Sequence, residues 1–599
     1  MAPHLTSRHL KKHQRYTDNK QPSIISTMTR QTAQNQNNSL EKHLIRWAVV
    51  DQMSFQTLES PRFLRIYADL GITLPFRSAR TLQKRIKDEF AVHRQKLMED
   101  LANPCSTISI SLDAWTSKNG KATLGIIGYW ITENFEYRER VLDFKEIKRI
   151  HTGQNMAEIL GAVLEEFKLE TKLLAITTDN ASTNETMVNQ LDQSLKEAFS
   201  PRELRFDGLN NYMRCTAHVL NLIVGDILKA LRAGGRYDAL RSCELLDLDI
   251  LVKDQSPLSR LRTIAVWVQA TPQRKEQWRL VCQSHRLPDK LIEYDVDTRW
   301  NSTYRMLRDG LQAKQQIKKW GEQHRLFACF DDDDWEYLQQ IANLLAPFEE
   351  MTLEVSKKKP KISMAMPIYF SLHDVLYDAA EQVGDFTLLH DEIAAAVSPG
   401  IEKYKKYFGK MDGLDAFYIA VVLDPRFKGR LLEKNFGKEG GRGIINHIKK
   451  VLQKEYSWAM PPALKPTDND GGREPERGLS LRARVLRQLQ PERRYVSDID
   501  RYFDDGLVFD DSDVDGDEWL LSWWRGHSSI YPCVAAAARD YLAIPASSVS
   551  VERLFSGGRD MISVRRDSLS AETMRILPFL RDAYLSEDAC AEAEGAAGS

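Results

Sequence analysis

Apolar residues are spaced along the chain in two ways, and each spacing predicts its own kind of element. In residues 45–101 they recur at helical intervals. The positions expected to form a core there are Trp47, Phe55, Phe63, Leu64, Leu82, Ile86 and Phe90. In residues 106–113 apolar and polar residues alternate, as in a strand. Residues 122–132 and 138–147 predict two further strands of an antiparallel meander.

A helix and a buried strand are predicted after this meander. The apolar residues from Met156 to Phe167 share one helical face. The run Leu173–Ile176 is wholly apolar, which is typical of a strand buried on both faces. The right-handed crossover rule places this fourth strand beside the first. This order of elements is that of ribonuclease-H-like folds, and residues 219 to about 460 then predict a long helical region.

Composition narrows the class of protein. The chain is 42% hydrophobic and 28% charged, as a soluble protein is, and it has no unbroken apolar run of transmembrane length. Its first thirty residues lack the apolar core of a signal peptide. Seven scattered cysteines without a CxxC pair indicate a reducing compartment. We therefore expect an intracellular protein without a disulfide framework or a membrane anchor.

Charge is unevenly distributed, although the net charge of the chain is only −1. Residues 1–46 contain eight lysines and arginines against two acids, an excess of six positive charges. Residues 504–518 contain eight acids. A basic arm suits contact with DNA phosphates. A solvated, disordered leader explains the same charges, and charge alone leaves both interpretations open.

Three acids are candidates for catalysis. Asp113 and Asp179 each end a predicted strand, and if these strands are neighbours the two carboxylates meet at one sheet edge. Phosphodiester chemistry uses such a pair to hold divalent cations such as Mg²⁺, whereas an isolated aspartate there is usually a turn residue. Glu552 is a third candidate, in a short helix that Pro545 and Gly557-Gly558 are expected to bracket. An exposed helical glutamate is the alternative interpretation of Glu552.

Several motifs in a fixed order resemble hAT transposases, the hobo and Activator group. The clearest is SVERLFSGGRDMISVRRDSLS at 550–570. The others are SLDAWTS (111–117), TTDNASTN (177–184), RCTAHVLNL (214–222), DTRWNSTYRML (297–307), VLDPRFK (422–428) and the run 523–556. Restless-type elements of filamentous fungi are the most similar variety.

The resemblance implies a fold that combines α/β and all-α parts. A ribonuclease-H-like core would be interrupted after a Cys215–His218 strand by a large helical insertion and closed by the Glu552 helix. The expected segments are a basic arm with the remnant of a BED finger (1–44), a helical DNA-binding or linker domain (45–101), the first part of the core (102–224), the insertion (225–494) with a linker (461–478), a C-terminal dimerisation region (495–585) and an acidic tail (586–599).

The resemblance also implies a chemistry. Asp113, Asp179 and Glu552 would be catalytic ligands of Mg²⁺ or Mn²⁺ in cut-and-paste transposition, in which element ends are cleaved, the flanking DNA forms a hairpin and the freed 3′-OH attacks target DNA. His218 would lie near the scissile phosphate. Arg299 and Trp300 would contact DNA, with Trp300 stacking on a flipped base; a core position is the alternative for Trp300.

The partners expected are double-stranded DNA, in the nucleus, and a second copy of the chain. The C-terminal region has apolar helical faces that suit either a subunit interface or the monomer core, at Trp519, Trp523, Trp524, Val534, Ala538, Tyr541 and Leu542. A BED finger needs two cysteines and two histidines, and only His9 and His13 are present, so no bound zinc is expected. A domesticated, catalytically idle DNA-binding regulator is the alternative function.

Overall fold

A five-stranded mixed sheet has the order β3-β2-β1-β4-β5. The first three strands are antiparallel, while β4 pairs parallel with both β1 and β5. The predicted order, with the fourth strand beside the first, is confirmed. The strands are β1 (Ile108–Thr116), β2 (Ala122–Ile131), β3 (Tyr137–Glu146), β4 (Leu173–Thr178) and β5 (Tyr212–Arg214). The computed structural model describes residues 38–102, 105–116, 122–148, 152–234, 238–239, 255–293, 300–323, 330–357, 362–459, 497–508, 518–561 and 570–597.

Helices make up most of the remaining described residues. A helix over 38–50 comes first. The other α-helices are Pro61–Asp69, Ala79–Ala102, Gly153–Phe167 (the crossover helix), Ser182–Ala198, Thr216–Ala230, Pro257–Ala270, Pro272–Ser284, Trp300–Gln312, Lys314–Gln323, Asp332–Val355, Ile362–Glu381, Asp391–Ala396, Ser398–Asp412, Asp415–Val422, Arg430–Tyr456, Asp498–Asp504, Trp519–His527, Pro532–Tyr541, Val549–Met561 (the signature helix) and Ala571–Ala597 (the final helix). Short 3₁₀ helices are Phe55–Glu59, Gly208–Asn211, Gly384–Phe386 and Ser457–Ala459. The Arg430–Tyr456 helix is broken by a sharp kink at Gly437, whose φ of 75° favours glycine.

Two apolar clusters form the core. One contains side chains of β1, β2, the crossover helix and the signature helix. The other contains the helices from Thr216 onward together with the C-terminal block. Every residue of β4 is buried, because Leu173 and Ile176 belong to the first cluster while Leu174 and Ala175 belong to the second. This explains the wholly apolar sequence of the strand.

The N-terminal helices bury fewer apolar residues than their pattern predicts. Phe55, Leu82 and Ile86 are buried, as expected. Trp47, however, is 40% exposed, and its assignment to the core was wrong. Phe63 lies at the edge of the first cluster, as do Leu64 and Phe90. Helical periodicity identifies an apolar face without identifying its partner, and the face that carries Trp47 lacks a full partner among the described residues.

A buried ion cluster ties β3 to three helices around it. Asp143 accepts hydrogen bonds from Arg575 at 2.7 Å and from Arg94 at 3.2 Å, and Arg94 also binds Glu166 at 2.7 Å. Burial alone would raise the pKa of Asp143, but the two guanidinium groups bring it below its ordinary value. The cluster therefore holds the helix before the sheet, the crossover helix and the final helix against one strand.

The final helix continues past the predicted boundary of the acidic tail at residue 586. Its Glu587 lies 3.3 Å from Lys96 of the Ala79–Ala102 helix. Within the described ranges, no helix is both long enough and apolar enough to cross a bilayer.

Candidate metal centre

Asp113 and Asp179 occupy equivalent positions on two neighbouring parallel strands. Ser111 of β1 pairs with Thr177 of β4, and each acid comes two residues later. Adjacent strands lie about 4.8 Å apart, so the sheet brings the two carboxylates to one edge, as predicted. Asp113 is not the end of its strand, however, because β1 continues to Thr116 in register with β2.

The loop after β4 fixes the position of Asp179. Asn184, which is buried in the first turn of the next helix, donates from its side-chain amide to Asp179 Oδ1 at 2.5 Å. The Ala181 N–H donates to the same oxygen at 3.2 Å. The backbone carbonyl of Asp179 accepts from the hydroxyl groups of Thr178 and Tyr212 at 2.8 and 3.1 Å. Carboxylate and backbone are therefore both held in place.

The signature helix packs on the face of the sheet that carries Asp113. Gly125 lies directly opposite Asp113 on β2. A Cβ atom added at Gly125 would lie 2.9 Å from Val551 Cγ1 and 3.2 Å from Phe555 Cζ. The Phe555 ring also lies 6.0 Å from the Trp115 ring, measured between centroids. Because opposite residues of an antiparallel pair share a face, the helix that contains Glu552 lies beside Asp113.

The loop that precedes the signature helix is tied to the same end of the sheet. The Thr177 hydroxyl donates to the Pro545 carbonyl at 2.9 Å, and the Thr216 N–H donates to the Ala546 carbonyl at 3.0 Å. The Ser548 N–H donates to Cys215 Sγ at 3.4 Å. These bonds place residues far apart in sequence beside β4 and β5.

The charges of the two other acids act on Asp113. Burial, the charge of Asp179 and, least, the charge of Glu552 together raise the pKa of Asp113 to about 7, although a hydrogen bond from the Ala114 N–H lowers it. Burial also raises the pKa of Cys215, and the Glu552 charge contributes. Glu552 therefore lies near both Asp113 of β1 and Cys215, the residue that follows β5.

The donor chemistry of these groups fits a hard divalent cation. All three acids are partly buried and offer carboxylate oxygens, which Mg²⁺ and Mn²⁺ prefer. In the described part of the chain, no three His, Cys, Asp or Glu side chains converge closely enough to hold an ion as they stand.

Comparison with known proteins gives three matching families along the chain. The ZBED1 RNase-like domain matches residues 111–202, the ZBED1 RNase-like helical domain matches residues 213–344, and the hAT family C-terminal dimerisation region matches residues 498–584. The chain belongs to the hAT family. The resemblance based on its motifs is thereby confirmed.

Curated relatives align with most of this hAT chain. The putative AC transposase of Zea mays is 28% identical over 558 residues, which cover 89% of this chain and 64% of the maize protein. The putative transcriptional regulator tpeD of Talaromyces stipitatus is 25% identical over 553 residues, 90% of this chain and 61% of the relative. The BED zinc-finger protein RICESLEEPER 2 of Oryza sativa subsp. japonica is 23% identical over 576 residues, 90% of this chain and 73% of the relative. The chain thus spans less than two thirds of the length of the first two.

The C-x-x-H motif, Cys215 to His218, was predicted to be a strand, but it leads into a helix. The strand β5 ends at Arg214, Cys215 precedes the Thr216–Ala230 helix, and His218 lies in the first turn of that helix. The last hydrogen bond to the sheet is the one from the Cys215 N–H to the Thr178 carbonyl of β4 at 2.8 Å, and from Thr216 onward the partner is the loop before the signature helix, so the strand ends and the helix begins. His218 is partly exposed close to Cys215 and hence to the edge that carries the acids.

Trp300 is near this helix but is buried. Its backbone N–H donates to the Asn221 side chain at 3.5 Å, one helical turn after His218. Its indole is 4% exposed and packs on Phe348 and Tyr304. A base therefore has no open face of Trp300 to stack on in this conformation, and the core interpretation is the one the structure favours. Arg299 lies outside the described residues.

Sequence reasoning missed the groups that position the acids. Asn184 was within the quoted TTDNASTN motif, where its spacing of five from Asp179 was an available signal. Gly125 gave no such signal, because its role depends on strand register and on a helix over 400 residues later. The cysteines at 105, 215, 282, 533 and 590 are free, and the histidines of the predicted BED remnant, His9 and His13, lie outside the described residues.

Proposed function

We propose that this hAT chain is a metal-dependent DNA transposase of the cut-and-paste type. The reaction expected is cleavage at the element ends, hairpin formation on the flanking DNA and attack of the freed 3′-OH on target DNA. The observation that supports the proposal is geometric: β1 with Asp113 pairs with the strand that Asp179 follows, and the helix of Glu552 packs against Gly125, opposite Asp113. The maize relatives named putative AC and AC9 transposases support the same reaction.

Mg²⁺ or Mn²⁺ is the proposed cofactor, and Asp113, Asp179 and Glu552 are its proposed ligands. The three carboxylates would hold such ions, which would supply positive charge that stabilises the phosphodiester as its bond is broken. Asp179 is suited to metal binding through Oδ2. Its Oδ1 accepts hydrogen bonds from Asn184 and Ala181, whereas no described residue donates a hydrogen bond to Oδ2. Asp113 is the acid whose ionisation the protein opposes, so a nearby cation favours its charged form.

The proposed substrate is double-stranded DNA, at element ends and at the target. His218 is a proposed contact of the scissile strand, since it is partly exposed near the acids. Arg299 and Trp300 remain proposed contacts, and for Trp300 the start of the Trp300–Gln312 helix must move to free the indole. Work on DNA implies a nuclear protein, and the match to the dimerisation region supports action as a homo-oligomer.

A second candidate function is that of a catalytically idle, DNA-binding dimeric regulator derived from a transposase. The relative tpeD, named as a putative transcriptional regulator, aligns with 90% of this chain and favours this candidate. Intact acids at all three positions favour the enzyme.

The test is strand cleavage by the purified full chain. Duplexes carrying candidate element ends are incubated with Mn²⁺ or Mg²⁺ and the wild-type protein, or with Asp113→Asn, Asp179→Asn or Glu552→Gln. Glu165→Gln, an exposed acid of the crossover helix, is the matched control. Nicks and hairpins from the wild type and the control, with a loss of at least about a hundredfold in each of the three variants, are expected.

Two other results would count against the proposal. DNA binding by a folded wild-type protein without cleavage, also after a complete BED finger has been added, would favour the regulator. Cleavage that survives in all three variants would mean that other residues hold the metal.

A further inference from the structure

Two cations lie beside Asp179 and share one acid. Arg214 is in register with the last residue of β4, which Asp179 follows. Glu185 comes directly after Asn184, whose side chain holds the Asp179 carboxylate. Glu185 accepts hydrogen bonds from Arg214 at 2.8 Å and from Lys410 at 2.7 Å. Because one carboxylate neutralises only one of these cations, positive charge remains next to the proposed metal ligands.

The Ser398–Asp412 helix brings Lys410 to this position. It packs so closely on the helix that begins at Thr216 that a Cβ atom added at Gly400 would lie 2.8 Å from Ile227 Cδ1. Ile227 is near the end of that helix, whereas Lys410 is bound at the sheet edge where the same helix begins. The two helices are therefore antiparallel, and the Ser398–Asp412 helix runs toward the edge that carries the acids.

Three lysines follow one face of the Ser398–Asp412 helix. Lys403, Lys406 and Lys410 are spaced at i, i+3 and i+7. From first to last they span about 10 Å of the helix axis, and one strand of DNA carries about three phosphates over that length. We call Lys403, Lys406, Lys410 and Arg214 the basic ridge.

The basic ridge has more positive charge than the acids beside it neutralise. Lys403 shares Asp226 with Lys229, at 2.9 and 3.1 Å. Lys406 is exposed and forms an ion pair with none of the described acids. Since Glu185 is also shared, two acids pair with four cations and the fifth stands alone, which leaves an excess of three positive charges. Ion pairs that served only to join the elements would need no such excess.

We propose that the basic ridge binds the phosphates of one DNA strand and holds that strand on its path to the candidate metal centre. A row of separate cations suits a polyanion better than a small anion, and this row ends beside Asp179. Glu185 is a positioning residue, because it fixes both Lys410 and Arg214. The inference rests on the proposed function and assigns part of the DNA contact to the helical insertion.

The experiment measures the affinity of the full chain for a fluorescent DNA duplex in EDTA over a series of salt concentrations. Lys406→Gln combined with Lys410→Gln is expected to weaken binding at least about tenfold. The slope of log affinity against log salt should become shallower by about two, because each phosphate contact contributes about 0.9. Lys406→Gln alone, which breaks no ion pair, should change the slope by about one. Circular dichroism and thermal melting establish that each variant is folded.

Two controls separate contact with phosphate from a general loss of charge. Lys405→Gln combined with Lys434→Gln removes the same charge from two exposed lysines outside the basic ridge and should leave the slope unchanged. Lys405 lies on another face of the same helix and pairs with Glu402 at 3.1 Å. Lys406→Arg combined with Lys410→Arg should retain the slope, because both positive charges are kept.

Three results would overturn the proposal: an unchanged slope in the Lys406/Lys410 variant, an equal loss in the Lys405/Lys434 control, or no DNA binding by the folded wild type. EDTA prevents metal-dependent cleavage, so binding and cutting are measured separately. DNA bound through the basic ridge but never cut by the metal-loaded chain would contradict the proposed function alone. Cleavage by the wild type, with no change of slope in the variant, would contradict the basic ridge alone.

Discussion

At the scale of single residues, the carboxyl group of Asp113 lowers the stability of the folded chain. Its carboxyl group is partly buried beside two other acids, and its pKa is about 7. A carboxylate that resists ionisation destabilises the metal-free fold above its ordinary pKa. A cation between the acids removes that cost, which is why we attribute the arrangement to metal binding rather than to stability.

This account predicts that Asp113→Asn stabilises the metal-free protein at pH 8. The folded pKa is raised, so the wild type loses stability between about pH 4, the unfolded pKa, and pH 7, and the loss is constant above that. The gain of the asparagine variant should follow the same window and reach about 1–3 kcal/mol, allowing for solvent screening. Denaturant unfolding at several pH values measures it.

Saturating Mn²⁺ provides the control for this prediction. With the ion present, the wild type should become the more stable of the two at pH 8, because only the wild type retains all three ligands. A gain from Asp113→Asn of equal size at pH 4 and pH 8 would contradict the account.

At the scale of elements, the position of the signature helix depends on one glycine. Gly125→Ala is expected to destabilise the protein by about 1–3 kcal/mol, because its Cβ would lie 2.9 Å from Val551 Cγ1. Combining it with Val551→Ala should recover part of the loss. Gly443→Ala, in open space within a helix, is the matched control and should stabilise by up to about 1 kcal/mol. Thermal unfolding is measured for these variants, for Val551→Ala alone and for the wild type. If the double variant loses as much stability as the two single variants together, the two residues do not meet.

Periodicity predicted the elements well and their ends less well. The first four strands, their order and the crossover helix followed from the spacing of apolar residues and from the crossover rule, whereas the short fifth strand, Tyr212–Arg214, did not. The signature helix nevertheless continues through Gly557-Gly558 to Met561. Glycine is only weakly unfavourable in a helix, so tertiary structure overrides it. Likewise β1 continues past Asp113, because its ladder with β2 extends to Thr116.

At the scale of the whole molecule, the sequence could not decide which apolar faces meet within one chain. For Trp524 and Val534 the sequence allowed two interpretations, the monomer core or a subunit interface. Both side chains are buried in the monomer. Trp47 looked like a core residue and is exposed. A helical pattern records that a face is apolar, while its partner depends on long-range packing that the spacing does not encode. The three acids could be predicted from the sequence because they lie in recognisable motifs. The role of Gly125 could not, because it depends on the register between β1 and β2.

The burial of the Trp300 indole also depends on packing between distant parts of the chain. Base stacking requires an exposed ring face, and the ring is enclosed by Phe348 and Tyr304. A role in DNA contact therefore depends on a rearrangement of the insertion when DNA binds.

The most direct test of the central claim, that Asp113, Asp179 and Glu552 bind a divalent cation together, is a calorimetric Mn²⁺ titration of the full chain without DNA. At pH 7 the wild type and Glu165→Gln should bind Mn²⁺ and release protons, since Asp113 is then partly protonated. Asp113→Asn, Asp179→Asn and Glu552→Gln should each bind at least about tenfold more weakly. Equal Mn²⁺ affinity in the wild type and all three variants would contradict the account.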